Sequence, residues 1–440
     1  MNIDTVQFSH ILETGDLQNL HFFLSRTAFV ISHKDEKVKT LREVLWYLPL
    51  NSPIIIVTNC QESEKENLKH ELKMELTHHQ KIYLVHQKDE TIARLFEAYG
   101  VCQILGKDGK VIDGKGEGMY IGTLCAYQLG YPRWIIFYDA DNFVPSALLE
   151  YTLAMSRLFM SSPYSALAPE HYPSNGVMLN TANFLNADHD TSNGVMLNTA
   201  NYLDSEHDTS NGVMLSAANY LDSEHDTSNG VMLSAAKHLD GDLHNVRICW
   251  SSKPELKNGH LDTRIMGRCT RVVSPLFNEL LEGWFGMHNN EISSSNAGEQ
   301  GMTVKTALSL RFSSGYSIES FQLLDLLFHA YKQNGSAGSI TLQQYLSKSP
   351  HFHDKKGDDH IKKMIEYSLG SFFHFRESLP GNVKRKLRMV YAELGLNFVA
   401  PLLYPSLQDL RLKRIEGFMD QYLLGAKADY QDVLVAELEG

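Results

Sequence analysis

Along the first third of the chain, short apolar runs alternate with helix-like segments. Ala28–Ser32, Ile54–Thr58, Ile82–His86 and Trp134–Tyr138 are rich in Val, Ile and aromatic residues, the pattern of strands covered on both faces. Between them, Val38–Tyr47, Glu62–Leu76, Glu90–Tyr99 and Gly118–Leu129 read as helices. Strands separated by helices predict an α/β unit with a mostly parallel sheet, whose ligands gather at the carboxyl ends of the strands. Three strands run directly into polar clusters: His33-Lys34-Asp35-Glu36, His86-Gln87-Lys88-Asp89 and Asp139-Ala140-Asp141-Asn142. In a parallel sheet these clusters converge on one edge, where the sequence points for function.

The pattern changes after residue 173. Ser-Asn-Gly-Val-Met-Leu begins at Ser174, Ser192, Ser210 and Ser228, a strict period of 18 residues. The copies are nearly identical and lack the atypical end units that cap a solenoid. They read as tandem duplication inside a surface loop, which costs little because closure entropy grows only logarithmically with length. His189, His207 and His225 recur beside Asp190, Asp208 and Asp226 because any duplicated unit repeats what it contains. Val246–Trp250 then resumes strand character. Ser317–Gln333, His360–Phe373 and Asn382–Glu393 read as helices, the last with a basic face, and Leu407–Leu438 as mixed and mostly helical. The expected division is an N-terminal segment (1–27), an α/β core (28–173), the repeat insertion (174–241), a second part of the same domain (242–375) and a helical C-terminal extension (376–440).

Composition narrows the function. The 440 residues carry a formal charge of −12 and no basic block, which argues against nucleic-acid binding through the phosphate backbone. An anionic ligand must be held by local cations, backbone N–H groups or a metal, against the global field. Five scattered cysteines, not in metal-type pairs, fit a reducing compartment. Met1–Asn19 lacks a basic n-region, and the longest apolar runs are too short to span a bilayer. A soluble cytoplasmic protein is expected.

Asp139-Ala140-Asp141 carries the sharpest chemistry. Carboxylates at i and i+2, where the chain leaves a buried strand, can present oxygens to one hard divalent cation, which in turn binds phosphate oxygens. Phosphatases of the haloacid dehalogenase type also place such a triplet after a strand, but near the N-terminus and followed by x-Thr or x-Val; here Asn142-Phe143 follows, deep in the chain. Gly114-Lys115-Gly116-Glu117-Gly118-Met119 opens a helix with glycines, which lets N–H groups approach an anion. His351-Phe352-His353 places two imidazoles on one side of an extended segment, either of which could complete a metal site begun by the aspartates. Gly267-Arg268-Cys269-Thr270 offers a guanidinium and a hydroxyl for phosphate or carboxylate.

Taken in order, these segments resemble one family. Lys34-Asp35-Glu36, Pro53–Val57, His86–Asp89, Gly114–Met119, Asp139–Asn142, Asn296-Ala297-Gly298-Glu299, Ser314-Gly315-Tyr316-Ser317-Ile318-Glu319 and Pro350-His351-Phe352-His353 are similar to the motif series of mannosyl-3-phosphoglycerate synthases, over roughly residues 28–165 and 246–370. The resemblance implies a GT-A-like nucleotide-sugar-binding sheet flanked by helices, GDP-mannose as donor, 3-phosphoglycerate as acceptor and a Mg²⁺-type cation. It implies retention at the anomeric carbon, a place in mannosylglycerate (compatible-solute) synthesis, and a homodimer at the family level. It also implies donor contacts from Lys34, Glu36, Lys88, Lys115, Glu117, Asp139 and Ala140, and acceptor contacts from Gly267, Arg268 and Thr270. Metal ligation falls to Asp141 with His351 or His353, and catalytic roles to Asp139, Asp141 and Glu299. Ser32-His33 and Ser295 depart from the family pattern beside the donor and acceptor motifs. Two other readings stand beside this one: a related transferase with a glucose nucleotide donor, and a non-catalytic relative acting as a binding protein.

Overall fold

In the strands of the computed structural model, side chains alternate strictly between two apolar layers. Val30, Ile55, Val57, Val85, Ile135 and Phe137 enter one core, while Phe29, Ile31, Ile54, Ile56, Leu84, Ile136 and Tyr138 enter the other. Such strands need helices on both faces, which is why the sequence showed unbroken apolar runs. The structure describes residues 2–7, 17–34, 36–75, 81–142, 144–160, 243–250, 255–257, 260–262, 267–288, 291–333, 340–349, 351 and 357–424. The repeats at 174–241 and His353 lie outside these residues.

The elements run β1 (Asn2–Gln7), α1 (Leu17–Ser25), β2 (Thr27–His33), α2 (Val38–Trp46), β3 (Ile54–Thr58), α3 (Glu62–Glu75), β4 (Ile82–His86), α4 (Glu90–Ala98), α5 (Lys115–Leu129), β5 (Trp134–Asp139) and α6 (Ala147–Met160). Then come β6 (Leu243–Cys249), β7 (Glu255–Lys257), β8 (His260–Asp262), α7 (Arg268–Phe285), β9 (Gln300–Thr303), α8 (Val304–Ser309), β10 (Phe312–Ser313), α9 (Ile318–Lys332), β11 (Ile340–Leu346), α10 (Asp358–Gly370), α11 (Gly381–Glu393) and β12 (Leu403–Tyr404). The central sheet has the order β1-β11-β6-β9-β5-β2-β3-β4. All its strands are parallel except β9, which runs antiparallel between β5 and β6. Among the described residues no helix is long and apolar enough to cross a membrane.

Two expectations need correcting. The helix expected at Gly118 begins at Lys115, so Gly116 and Gly118 lie inside α5. The backbone there is crowded: a Cβ on Gly116 would lie 1.9 Å from the Ser313 carbonyl oxygen. Among the described residues of the C-terminal extension, the α-helix is α11. From Gly395 to Leu424 the chain is an irregular strap with short 3₁₀ and strand turns. Pro401 and Pro405 interrupt any helix, and Gly395 and Gly417 adopt positive φ of 55° and 72°. The strap satisfies its backbone on α5 instead: Tyr120, Tyr127 and Gln128 donate to the carbonyls of Pro405, Leu412 and Lys413. α5 is thus sandwiched between sheet and strap, and 12 of its 15 residues are buried.

Candidate active site

At the carboxyl end of β5, register pairs Asp139 with Ser32 of β2, so the ends of β5 and β2 stand side by side. The Lys115 ammonium, at the first position of α5, lies 2.6 Å from Asp139 Oδ1 and 2.5 Å from Glu319 Oε1 on α9. Burial works against its charge, but Asp139 and Glu319 outweigh that and hold it well above the usual lysine value. Gly298 makes the cluster possible. A Cβ there would sit 2.4 Å from Asp139 Oδ2 and 2.9 Å from Lys115 Nζ.

Next to this triad stands Glu299, the residue before β9, fully buried. Its Oε2 accepts the Trp250 indole N–H at 2.9 Å, and its Oε1 faces His351 Nδ1 at 3.3 Å. The Trp250 and His351 rings stack with centroids 4.3 Å apart. Burial, reinforced by the Asp139 carboxylate, pushes the Glu299 carboxyl up to about 8. Burial lowers His351, with the Asp141 and Asp139 carboxylates pulling against it, so the two aspartates and this imidazole share one electrostatic neighbourhood. Arg247, fully buried on β6, ties the surrounding loops together. It donates to the carbonyls of Ser294 (2.9 Å) and Glu319 (3.1 Å) and to Gln300 Oε1 (2.7 Å). Burial brings its guanidinium down to about 10, so it stays charged at neutral pH.

Beside Trp250 a small pocket is lined by Gly267, Thr270, Ser293, Ser294 and Asn296. It lies against the N-terminus of the 18-residue α7, whose free N–H groups favour an anion. Arg268 opens that helix, and its Nη1 donates to Asp358 Oδ1 at 2.7 Å, at the start of α10.

The structure therefore brings together Lys115, Asp139, Glu299 and His351 with Asp141 in their field, and sets Gly267 and Thr270 beside Trp250. Lys34 and Glu36 form a local turn past β2, where the Lys34 N–H donates to Glu36 Oε2 at 2.6 Å. Lys88 pairs with Asp113 Oδ1 at 2.9 Å, and Gln87 donates to the Ile112 and Gly114 carbonyls, pinning the entry of α5 to the end of β4. Ala140 is buried. Glu117, expected at the donor, is engaged within the protein. It is fully buried, with Oε2 taking the Gly315 N–H (3.1 Å) and Oε1 the Tyr404 hydroxyl (2.6 Å), so it braces the fold. Glu319, Trp250 and Arg247 were not singled out by sequence. Glu319 lay within the Ser314–Glu319 motif, and a charged residue in a buried strand was the signal for Arg247.

The family model for mannosyl-3-phosphoglycerate synthase matches residues 3–171 and 215–419, most of the chain. The mannosyl-3-phosphoglycerate synthase of Pyrococcus furiosus is 27% identical over 393 residues, covering 86% of this chain and 79% of its own. That of Aeropyrum pernix is 25% identical over 396 residues, covering 88% and 81%. Among solved structures, mannosyl-3-phosphoglycerate synthase from Rubrobacter xylanophilus aligns with a TM-score of 0.44 at 12% identity, over 93% of this chain and 96% of that one. Glucosyl-3-phosphoglycerate synthase from Mycobacterium tuberculosis, solved with Mn²⁺, UDP-glucose and glycerol 3-phosphate, also gives 0.44, at 11% identity over 93% and 99%. These structural likenesses are too distant to bear on chemistry. The sequence matches settle the family: the chain belongs to the mannosyl-3-phosphoglycerate synthases, and is a glycosyltransferase.

Proposed function

We propose that the protein moves mannose from GDP-mannose to 3-phosphoglycerate, giving mannosyl-3-phosphoglycerate and GDP with retention at the anomeric carbon. The name its relatives share carries the transferred mannosyl group and the 3-phosphoglycerate acceptor, and the GDP nucleotide of the donor is part of this proposal. The observation that carries the site is the buried cluster of Lys115, Asp139, Glu299, Glu319 and His351 at the carboxyl end of β5, beside the pocket at the N-terminus of α7.

The residues present fit a divalent cation. Four carboxylates (Asp139, Asp141, Glu299 and Glu319) share this site with one lysine, and Glu299 Oε1 accepts no hydrogen bond among the described residues. Burial lowers His351, which favours the neutral imidazole that has a lone pair to offer. Asp141 and His351 would hold the cation. Among the described residues no group of three or more His, Cys, Asp or Glu is arranged for a metal. The cation proposed is of the Mg²⁺ type, an ion that keeps waters and substrate phosphates as ligands. When bound, such a cation offsets charge developing on the departing diphosphate.

The chain's own residues do the rest. Lys34, Glu36 and Lys88 stand at the strand ends that face the nucleotide, and Asp139 and Ala140 border it. Lys115 adds a positive charge at the α5 N-terminus. Gly267, Arg268 and Thr270 take the acceptor's phosphate or carboxylate. Asp139 is ion-paired to Lys115 and Glu299 accepts the Trp250 N–H, so we assign neither as a covalent nucleophile and take the glycerate hydroxyl to attack on the face the diphosphate leaves. Holding the two substrates in that geometry supplies the acceleration.

A donor screen tests the assignment. With 3-phosphoglycerate and Mg²⁺, GDP-mannose is expected to give a hexosylated product by mass spectrometry, and GDP-glucose and UDP-glucose much less. Turnover with a glucose nucleotide alone would overturn the donor. A trapped mannosyl-enzyme adduct would overturn front-face attack.

A further inference from the structure

The Lys115–Asp139–Glu319 cluster joins two segments more than two hundred residues apart in sequence, and the structure shows what keeps them in register. Lys115 opens α5, while Glu319 follows the Ser314–Ser317 turn into α9. These two backbones approach closely at the glycines of both segments. A Cβ on Gly116 would meet the Ser313 carbonyl, and one on Gly114 would lie 3.1 Å from the Gly315 Cα. Across that contact Glu117 Oε2 accepts the Gly315 N–H, and its Oε1 accepts the hydroxyl of Tyr404, a residue of the C-terminal strap. Tyr404 is itself buried and fixed. Its strand β12 pairs with β10, its ring stacks on Tyr120 at 5.8 Å, and Ser314 and Leu402 exchange hydrogen bonds of 2.9 Å beside it.

We propose that Tyr404 is a positioning residue for the transfer: by clamping Glu117 onto the Gly315 turn, it holds the first turn of α5 and the start of α9 where Lys115 and Glu319 can grip Asp139 together. It touches no substrate and acts through Glu117. Burial pushes the Glu117 carboxyl up, with the Tyr404 hydrogen bond pulling it back first among the opposing groups. Losing that hydroxyl leaves a buried carboxylate oxygen without its donor, and the turn it secures is then free to shift. The strap, which carries none of the expected substrate residues, thereby becomes part of the machinery. This inference rests on the transfer reading of the site.

The test is Tyr404→Phe, which removes the hydroxyl and keeps the ring stack. Tyr127→Phe serves as control, because Tyr127 ties the same strap to the same helix through the Leu412 carbonyl (2.8 Å), away from the cluster. We expect kcat for GDP release to fall about tenfold to a hundredfold in Tyr404→Phe, the scale of a misplaced group. KM for 3-phosphoglycerate should stay within about twofold, and Tyr127→Phe should keep wild-type kcat. In the Glu117→Gln background Tyr404→Phe should add no further loss, since both act through one bond. Hydrogen exchange reads the clamp without any transfer: amides of Lys115–Met119 and Gly315–Glu319 should exchange faster in Tyr404→Phe and not in Tyr127→Phe. Wild-type kcat in Tyr404→Phe, or an equal loss in Tyr127→Phe, overturns the inference. Faster exchange in Tyr404→Phe, with a folded wild type that transfers nothing, would leave the clamp standing and remove the transfer reading.

Discussion

Lys115 is the single cation between two carboxylates that are largely removed from water, so its worth can be measured by taking it away. Lys115→Met removes the ammonium that Asp139 and Glu319 share, which should cost roughly 3 kcal/mol in urea denaturation. Lys115→Arg should recover part of that loss. Gly298→Ala should behave in the opposite way. Its methyl would push into Asp139 and Lys115, so GDP release should drop about a hundredfold while stability falls by only about 1–3 kcal/mol. Both are checked by pairing a steady-state rate with a denaturation midpoint. At this scale the sequence was readable wherever chemistry follows a strand. Asp139 and Asp141 were found because acids straight after an apolar run need a partner or a metal. Glu319 and Trp250 were not, because their meaning comes only from residues distant in the chain: Lys115 for one, Glu299 and His351 for the other.

Elements position these residues through their ends. β2, β3, β4 and β5 were legible almost to the residue, since buried parallel strands write themselves as unbroken apolar runs. β9 was not. Gln300–Thr303 reads Gln-Gly-Met-Thr, with no strand pattern, and it is a strand because β5 and β6 supply backbone partners on both sides. Its antiparallel course carries Glu299 to the same edge as Asp139. α7 makes a testable contribution of its own. The exposed Arg268–Asp358 pair spans the starts of α7 and α10, and Asp358→Asn should change stability by less than about 1 kcal/mol. The same change should alter KM for 3-phosphoglycerate and leave KM for the nucleotide sugar unchanged, because it releases one hydrogen bond on a guanidinium assigned to the acceptor. Thr270→Ala should raise the acceptor KM without that dependence on Asp358.

Across the whole molecule, one sheet edge collects residues from Lys34 to His351, and a strap from beyond residue 395 closes over the helix that carries Lys115. The alternation of strands and helices made the sheet and its functional edge legible, since both follow from local periodicity. Leu407–Leu438 reads as mixed and mostly helical, whereas its described part, to Leu424, is an irregular strap because its backbone is taken up by side chains of α5, distant in sequence. The central claim is acceptor-dependent transfer from a nucleotide sugar at the end of β5. Its most direct measurement is the rate of GDP release from GDP-mannose and Mg²⁺, with and without 3-phosphoglycerate, for wild type and Asp141→Ala. The account predicts release that depends on 3-phosphoglycerate and falls about a hundredfold to a thousandfold in the variant, the scale of a lost electrostatic catalyst. Equal release by both proteins, or none from folded wild type with any of the three nucleotide sugars, would contradict it.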